Sequence, residues 1–157
     1  MNYAWMQTPI GRVLLILDEN GLRRIDFANG NSRPDAAWHD NPAALKETIG
    51  QLGAYFASEL KEFDVPLAPE GTQFQKNVWR CLCEIPYGET ISYGELARHV
   101  GNPKASRAVG LANGANPIPI IIPCHRVIGS DGKLTGYGGG LSVKETLLSL
   151  EAQGRAR

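Results

Sequence analysis

The segment Ile120 to Gly129, IIIPCHRVIG, constrains this chain more than any other. Three consecutive isoleucines ask for burial, and they end at Pro123, followed directly by Cys124, His125 and Arg126. A run that must enter the core therefore delivers a thiol, an imidazole and a guanidinium to the core's rim. A cysteine reacts as its thiolate, and an ordinary thiol is mostly protonated at neutral pH. His125 is the neighbour placed to take that proton, and Arg126 adds positive potential that favours the anion. Adjacent side chains on an extended chain point apart, so the pair needs a turn or a bridging water.

The other thiols carry less meaning. Cys81 and Cys83 lie two apart on a helical pattern and face different ways, which disfavours a metal pair. Free cysteine is usually a small core residue, and that reading suits these two better than Cys124. An odd count of three offers no disulfide framework and fits a reducing cytoplasm. No apolar stretch is long enough to span a membrane, and the start, MNYAWMQTPIGR, does not read as a signal peptide.

At 157 residues the chain is one domain or two small ones. The Pro- and Gly-containing stretch Val65 to Phe74 reads as a linker and divides a 1–68 strand/helix part from a 69–157 part. The formal charge is zero, yet residues 1–68 hold six Lys/Arg against nine Asp/Glu, and residues 69–157 hold ten against seven. This asymmetry permits a nucleic-acid-facing second half without requiring one. In the first part, GRVLLILDENGLRRIDFA reads as two strands around a turn at Asp18–Gly21. Pro42 then opens a helix whose face is Leu45, Ile49, Leu52, Phe56 and Leu60.

The second part reads as mostly helical. Thr72 caps a helix with Phe74, Val78, Leu82 and Ile85 on one side, ended by Pro86 and Gly88. Two short helices, SYGELARHVG and PKASRAVGLANG, flank the turn Gly101–Pro103, the pattern of a helix-turn-helix. Ser92 and Glu95 fit a capping box. The second of these helices is rich in small residues, which serves tight helix packing or close approach to a groove equally well. Ser142 and Glu145 suggest another capping box opening the last helix, with Leu147, Leu148 and Leu150 packing and Gly154 following its end.

Cysteine hydrolases, redox cysteines and alkyl acceptors all begin with a Cys/His pair. PCHRVIG, preceded by SRAVGLANGANPIPIII and followed by GYGGGLSVKETLLSLE, closely resembles the O6-alkylguanine-DNA alkyltransferases. The likeness runs from about Phe74 to Glu151, includes ISYGELA, and extends more weakly to TPIGRVLLILDENGLRRIDF. It implies an α+β chain with a small N-terminal strand/helix domain and a mostly helical, winged-helix-like domain carrying the helix-turn-helix. It implies single-turnover repair: Cys124 takes the alkyl group from O6-alkylguanine, or O4-alkylthymine, in DNA. His125 is then the base, acting through a water, and Glu151 orients it. Tyr93 donates to the purine, Asn116 links the recognition helix to the active-site strand, and Tyr137 walls the pocket. Arg107 replaces the extruded nucleotide in the stack. A backbone N–H near Gly138 bonds O6, and carbonyls near Cys124 and Val127 accept from the exocyclic amine. Lys104, Ser106 and Arg126 complete the expected DNA contacts. The implied partner is double-stranded DNA, bound through the minor groove without sequence preference. No cofactor, zinc site or membrane is expected, and the protein is expected to be a cytoplasmic monomer. A non-catalytic damage-binding module is the rival reading, which the presence of Cys124 disfavours. A cysteine hydrolase would turn over without DNA.

Overall fold

The computed structural model describes residues 1–28, 32–134, 137 and 139–155, in two compact units, Met1–Glu70 and Gly71–Arg157. Both strands and helices are present, as the α+β reading requires.

The first unit is built on a four-stranded sheet. β1 (Asn2–Thr8), β2 (Gly11–Asp18) and β3 (Gly21–Phe27) form an antiparallel meander, with Trp5 opposite Leu14 and Leu15 opposite Ile25. The two-residue β4 (His39–Asp40) adds in parallel beside β1, giving the order β3-β2-β1-β4. The expected strand pair is β2 and β3. β1 was not read from its sequence, because Asn2–Thr8 mixes polar and apolar residues and is fixed by pairing along its whole length with β2. The branched aliphatics Val13 to Ile16 are fully buried, which is where β-branched and bulky side chains pack best on a pleated surface.

Pro42–Leu45 forms a 3₁₀ turn, capped by the Asn41 side chain, and α1 (Lys46–Phe56) follows. The helix stops four residues short of Leu60, since Ser58 takes a left-handed φ of 60°. Its buried side chains are Thr48, Leu52 and Tyr55.

The expected linker is partly sheet-bound. Leu22 N donates to Pro66 O and Ala68 N to Leu22 O, both at 2.8 Å. Arg23 ties the same segment down by donating to Ala68 O and pairing with Glu70. Gly21 sits at φ +140°, and a Cβ there would lie 2.6 Å from Pro66 O. Backbone cannot move aside as a side chain end can. Gly21→Ala is therefore expected to destabilise by about 2 kcal/mol or more, read as a lowered urea midpoint.

In the second unit α2 (Gln73–Leu82), α3 (Tyr93–Val100) and α4 (Ser106–Gly114) pack on one another. Thr72 caps α2 in a full capping box with Gln75, and Ser92 caps α3 with Glu95. α3 ends at Gly101 in the left-handed region, φ +94°. α4 starts at Ser106 rather than at Pro103, because residues 102–105 are used in a turn closed by Ala105 N to Asn102 O. α5 (Leu141–Arg155) starts one residue before Ser142, so Ser142 is inside the helix rather than its cap. Gly154 is likewise inside α5 and buried, where a Cβ would meet the Tyr87 hydroxyl. Ile91–Ser92 (β5) pairs in parallel with Val127–Ile128 (β6).

Among the described residues, no helix is long and apolar enough to cross a membrane, and no group of three or more His, Cys, Asp or Glu is arranged to hold a metal ion.

Candidate active site

Residues 117–123 are not the strand assumed for the active-site segment. Pro117, Pro119 and Pro123 lack N–H donors, and a central ladder cannot form through them. The chain folds on itself instead: Ile122 N donates to Ile118 O, Ile121 N to Pro119 O and Cys124 N to Ile122 O, at 2.8–2.9 Å. Ile120 holds φ +75°, a strained conformation for a β-branched residue. The isoleucines are all buried, and Cys124–Arg126 then forms one turn of 3₁₀ helix.

Two elements grip that turn. From α4, Asn113 Nδ2 donates to Cys124 O at 3.4 Å, and from two residues past the helix end Asn116 Nδ2 donates to Ile122 O at 2.7 Å. From α5, Lys144, Leu147, Glu151 and Gly154 share the buried face at three- and four-residue spacing. Lys144 Nζ donates to Val127 O at 2.7 Å. Glu151, 1% exposed, receives Arg126 Nε at 2.8 Å, Arg126 Nη2 at 3.0 Å and Gly88 N at 3.3 Å. His125 Nε2 lies 2.6 Å from Glu151 Oε2.

These contacts assign the protons. Burial pushes the Glu151 carboxyl up, but the hydrogen bonds from His125 and Arg126 outweigh it and hold it down at about 2. An ionised carboxylate only accepts, so Nε2 of His125 carries the hydrogen and Nδ1 is left with its lone pair. Nδ1 is buried and has no partner among the described residues. Burial also lowers the His125 pKa, more than Glu151 raises it, so the imidazole is neutral and able to accept a proton.

Cys124 is 5% exposed. Burial pushes its thiol up, against the lowering influence of hydrogen bonds from Asn116 and Tyr137 and the charge of Lys144. The resting group is therefore a thiol, not the ready thiolate that the sequence suggested. Its proton must leave during the reaction, which makes a neutral base beside it a requirement.

Residues 73–153 match the family model described as the DNA binding domain of 6-O-methylguanine DNA methyltransferase, and residues 1–69 match that of its ribonuclease-like domain. The methylated-DNA--protein-cysteine methyltransferase of Methanosarcina acetivorans is 60% identical over 154 residues, covering 96% of this chain and 98% of that protein. The chain belongs to the 6-O-methylguanine DNA methyltransferase family. Another relative, the methylated-DNA--protein-cysteine methyltransferase of Mycolicibacterium paratuberculosis, is 54% identical over 96% of this chain and 92% of its own. A crystal structure of Mycobacterium tuberculosis OGT in complex with DNA superposes with a TM-score of 0.92 at 51% identity, covering 98% of this chain and 94% of that one.

Within this family fold, the remaining expected residues fall into two sets. Lys104, Ser106 and Arg107 stand exposed at and just before the start of α4. Tyr93 opens α3 and faces α4 across Gly110, where a Cβ would lie 3.7 Å from its ring. Tyr93, Arg98, Ser106 and Gly129 help line one open depression of about 630 Å³. Tyr137 is close enough to bond the Cys124 sulfur, and Gly138 lies outside the described residues.

Arg126 is corrected. It is buried, not DNA-facing. Its guanidinium is spent on both Glu151 oxygens and on Ile85 O at 2.7 Å, with the Tyr87 ring 5.7 Å away. The cation that acts on the Cys124 thiol is Lys144, which the sequence reading passed over along with Asn113. Both carry a retrievable signal: Asn113 precedes Asn116 by one helical turn, and Lys144 precedes Glu151 by two.

The buried pair predicts an acid-labile fold. His125 has a lowered native pKa, so the unfolded chain binds a proton below about pH 6.5 that the folded chain refuses. Glu151, low in the fold, contributes stability that is complete above its ordinary value of 4.5 and is lost as pH falls toward 2. Urea midpoints should therefore begin to fall below about pH 6.5 and fall further below 4.5. Glu151→Gln should flatten the lower part of that curve.

Proposed function

We propose that this chain repairs alkylated DNA by moving an alkyl group from O6 of guanine, or O4 of thymine, onto its own Cys124. The observation that carries the reading is the buried Glu151–His125 pair, 2.6 Å apart, on the residue that follows the nearly buried Cys124. In one displacement the sulfur–carbon bond forms as the carbon–oxygen bond breaks. The thiol proton passes to His125 Nδ1 through a bridging water, and Glu151 stabilises the imidazolium that results. The departing guanine oxyanion needs hydrogen-bond donors in a dry pocket, a role suited to the Tyr93 phenol and a loop N–H near Gly138. Asn116 and Tyr137, both on the Cys124 sulfur, hold the nucleophile and wall the pocket.

The target atom lies inside the base stack, so the nucleotide must be extruded. Arg107, exposed on α4 between Ser106 and Ala108, fills the vacated position, while Lys104 and Ser106 contact phosphates. Minor-groove docking suits a protein that must act at any guanine, because that groove carries little sequence information. Residues 92–112 hold three Lys/Arg against one Glu, which supports modest, salt-sensitive, sequence-independent binding. The molecule acts as a cytoplasmic monomer and needs no cofactor. A thioether does not hydrolyse, so each molecule reacts once.

Mixing the protein with a duplex carrying one radiolabelled O6-methylguanine tests this. Label should move from DNA to protein within one mixing, without added cofactor. Label that stays in the DNA while the protein binds it would identify a damage-binding module instead. Loss of label to solvent would identify a hydrolase.

A further inference from the structure

Asn113 has no role in the mechanism above, yet it is 4% exposed and sits against the nucleophile's own backbone. Asn113 on α4 and Asn116, two residues past its end, grip the carbonyls on either side of Pro123. They differ in how completely they are satisfied. Asn116 Oδ1 accepts from Ile118 N at 3.0 Å, whereas Asn113 Oδ1 is buried without a partner among the described residues. The bond to Cys124 O fixes which way the amide faces, since a carbonyl can only accept: nitrogen toward Cys124, oxygen away. A buried amide oxygen without a donor costs about 1–3 kcal/mol, and folds retain few of them. A leucine would fill the same space without that cost.

We infer that Asn113 Oδ1 is a recognition atom that accepts a hydrogen bond from the exocyclic 2-amino group of an extruded O6-alkylguanine. This rests on the repair reading above. Alkylation at O6 leaves N1 without a hydrogen, so the 2-amino group carries the only N–H donors of the lesion base. O4-alkylthymine has none. An orphaned acceptor on the side chain that bonds the nucleophile's own carbonyl therefore favours the guanine lesion, whose amine supplies the missing donor. This adds a side-chain acceptor to the backbone carbonyls near Cys124 and Val127, and makes Asn113 a specificity residue.

The test is the ratio of single-turnover transfer rates on two duplexes, one with O6-methylguanine and one with O6-methylhypoxanthine, which lacks only the 2-amino group. The native chain should prefer the guanine lesion by about tenfold or more, the worth of one such hydrogen bond. Asn113→Leu should shrink that ratio by about tenfold, a change that general loosening of the fold would not produce. Asn113→Ala carries the same expectation if the leucine variant does not fold. An unchanged ratio in either variant, or no preference in the native chain, overturns the assignment. A native chain inert toward both duplexes overturns the repair reading itself, and this assignment with it.

Discussion

Cys124→Ala is expected to abolish alkyl transfer while leaving affinity for alkylated duplex close to that of the native chain. No other thiol can substitute. Cys81 is half-buried with its sulfur 3.7 Å from His99 O, and Cys83 lies at the end of α2. Burial raises the Cys81 pKa, Cys83 is exposed rather than in the core, and neither has a neutral imidazole on a carboxylate beside it. Loss of a single buried sulfur atom costs the fold about 1 kcal/mol, too little to unfold it. The proposed DNA-contacting groups, Lys104, Ser106 and Arg107, are on α4 or just before it and keep their positions. Gel-shift titration beside a transfer assay separates the two effects. Loss of binding and transfer together would mean that Cys124 is structural.

Glu151→Gln is the second large effect. The carboxylate receives two bonds from Arg126, one from Gly88 and one from His125. An amide has one accepting oxygen and cannot serve all of them. His125 loses the acceptor that keeps its hydrogen on Nε2, and with it the free lone pair at Nδ1. A positioned general base is worth about 10²–10⁴-fold, so transfer should slow by about a hundredfold. Arg126 is also left buried without a counter-charge, and breaking a buried pair on one side costs about 3–5 kcal/mol. Thermal unfolding and transfer should therefore fall together. Adding Arg126→Met to the same protein should recover part of the stability and none of the transfer. Recovery of both would show that Glu151 acts only on the fold.

Local signals carried much of this fold into view. The caps at Thr72 and Ser92, the strand pair around Asp18–Gly21 and the left-handed stop at Gly101 are each decided by side chains within a few residues of themselves. What stayed hidden depends on partners far along the chain. β1 exists because β2 pairs with it, and residues 66–68 are held by Leu22 and Arg23 rather than left as a linker. The site divides the same way. Cys124 and His125 are legible as a sequence motif, and Glu151 through resemblance. Arg126 was misassigned because an arginine beside a nucleophile looks solvent-facing until its carboxylate, 25 residues on, is seen to bury it. Lys144 and Asn113 were missed because each acts on a backbone carbonyl, which no motif records.

The central claim is that the alkyl group ends on one particular sulfur and stays there. Peptide mapping by mass spectrometry, after exposure to an excess of O6-methylguanine duplex, tests it most directly. The account predicts one methyl group per chain, located on the peptide containing Cys124, with no further repair however long the incubation. Methyl groups on Cys81 or Cys83, or continued removal of lesions beyond one per chain, would contradict it.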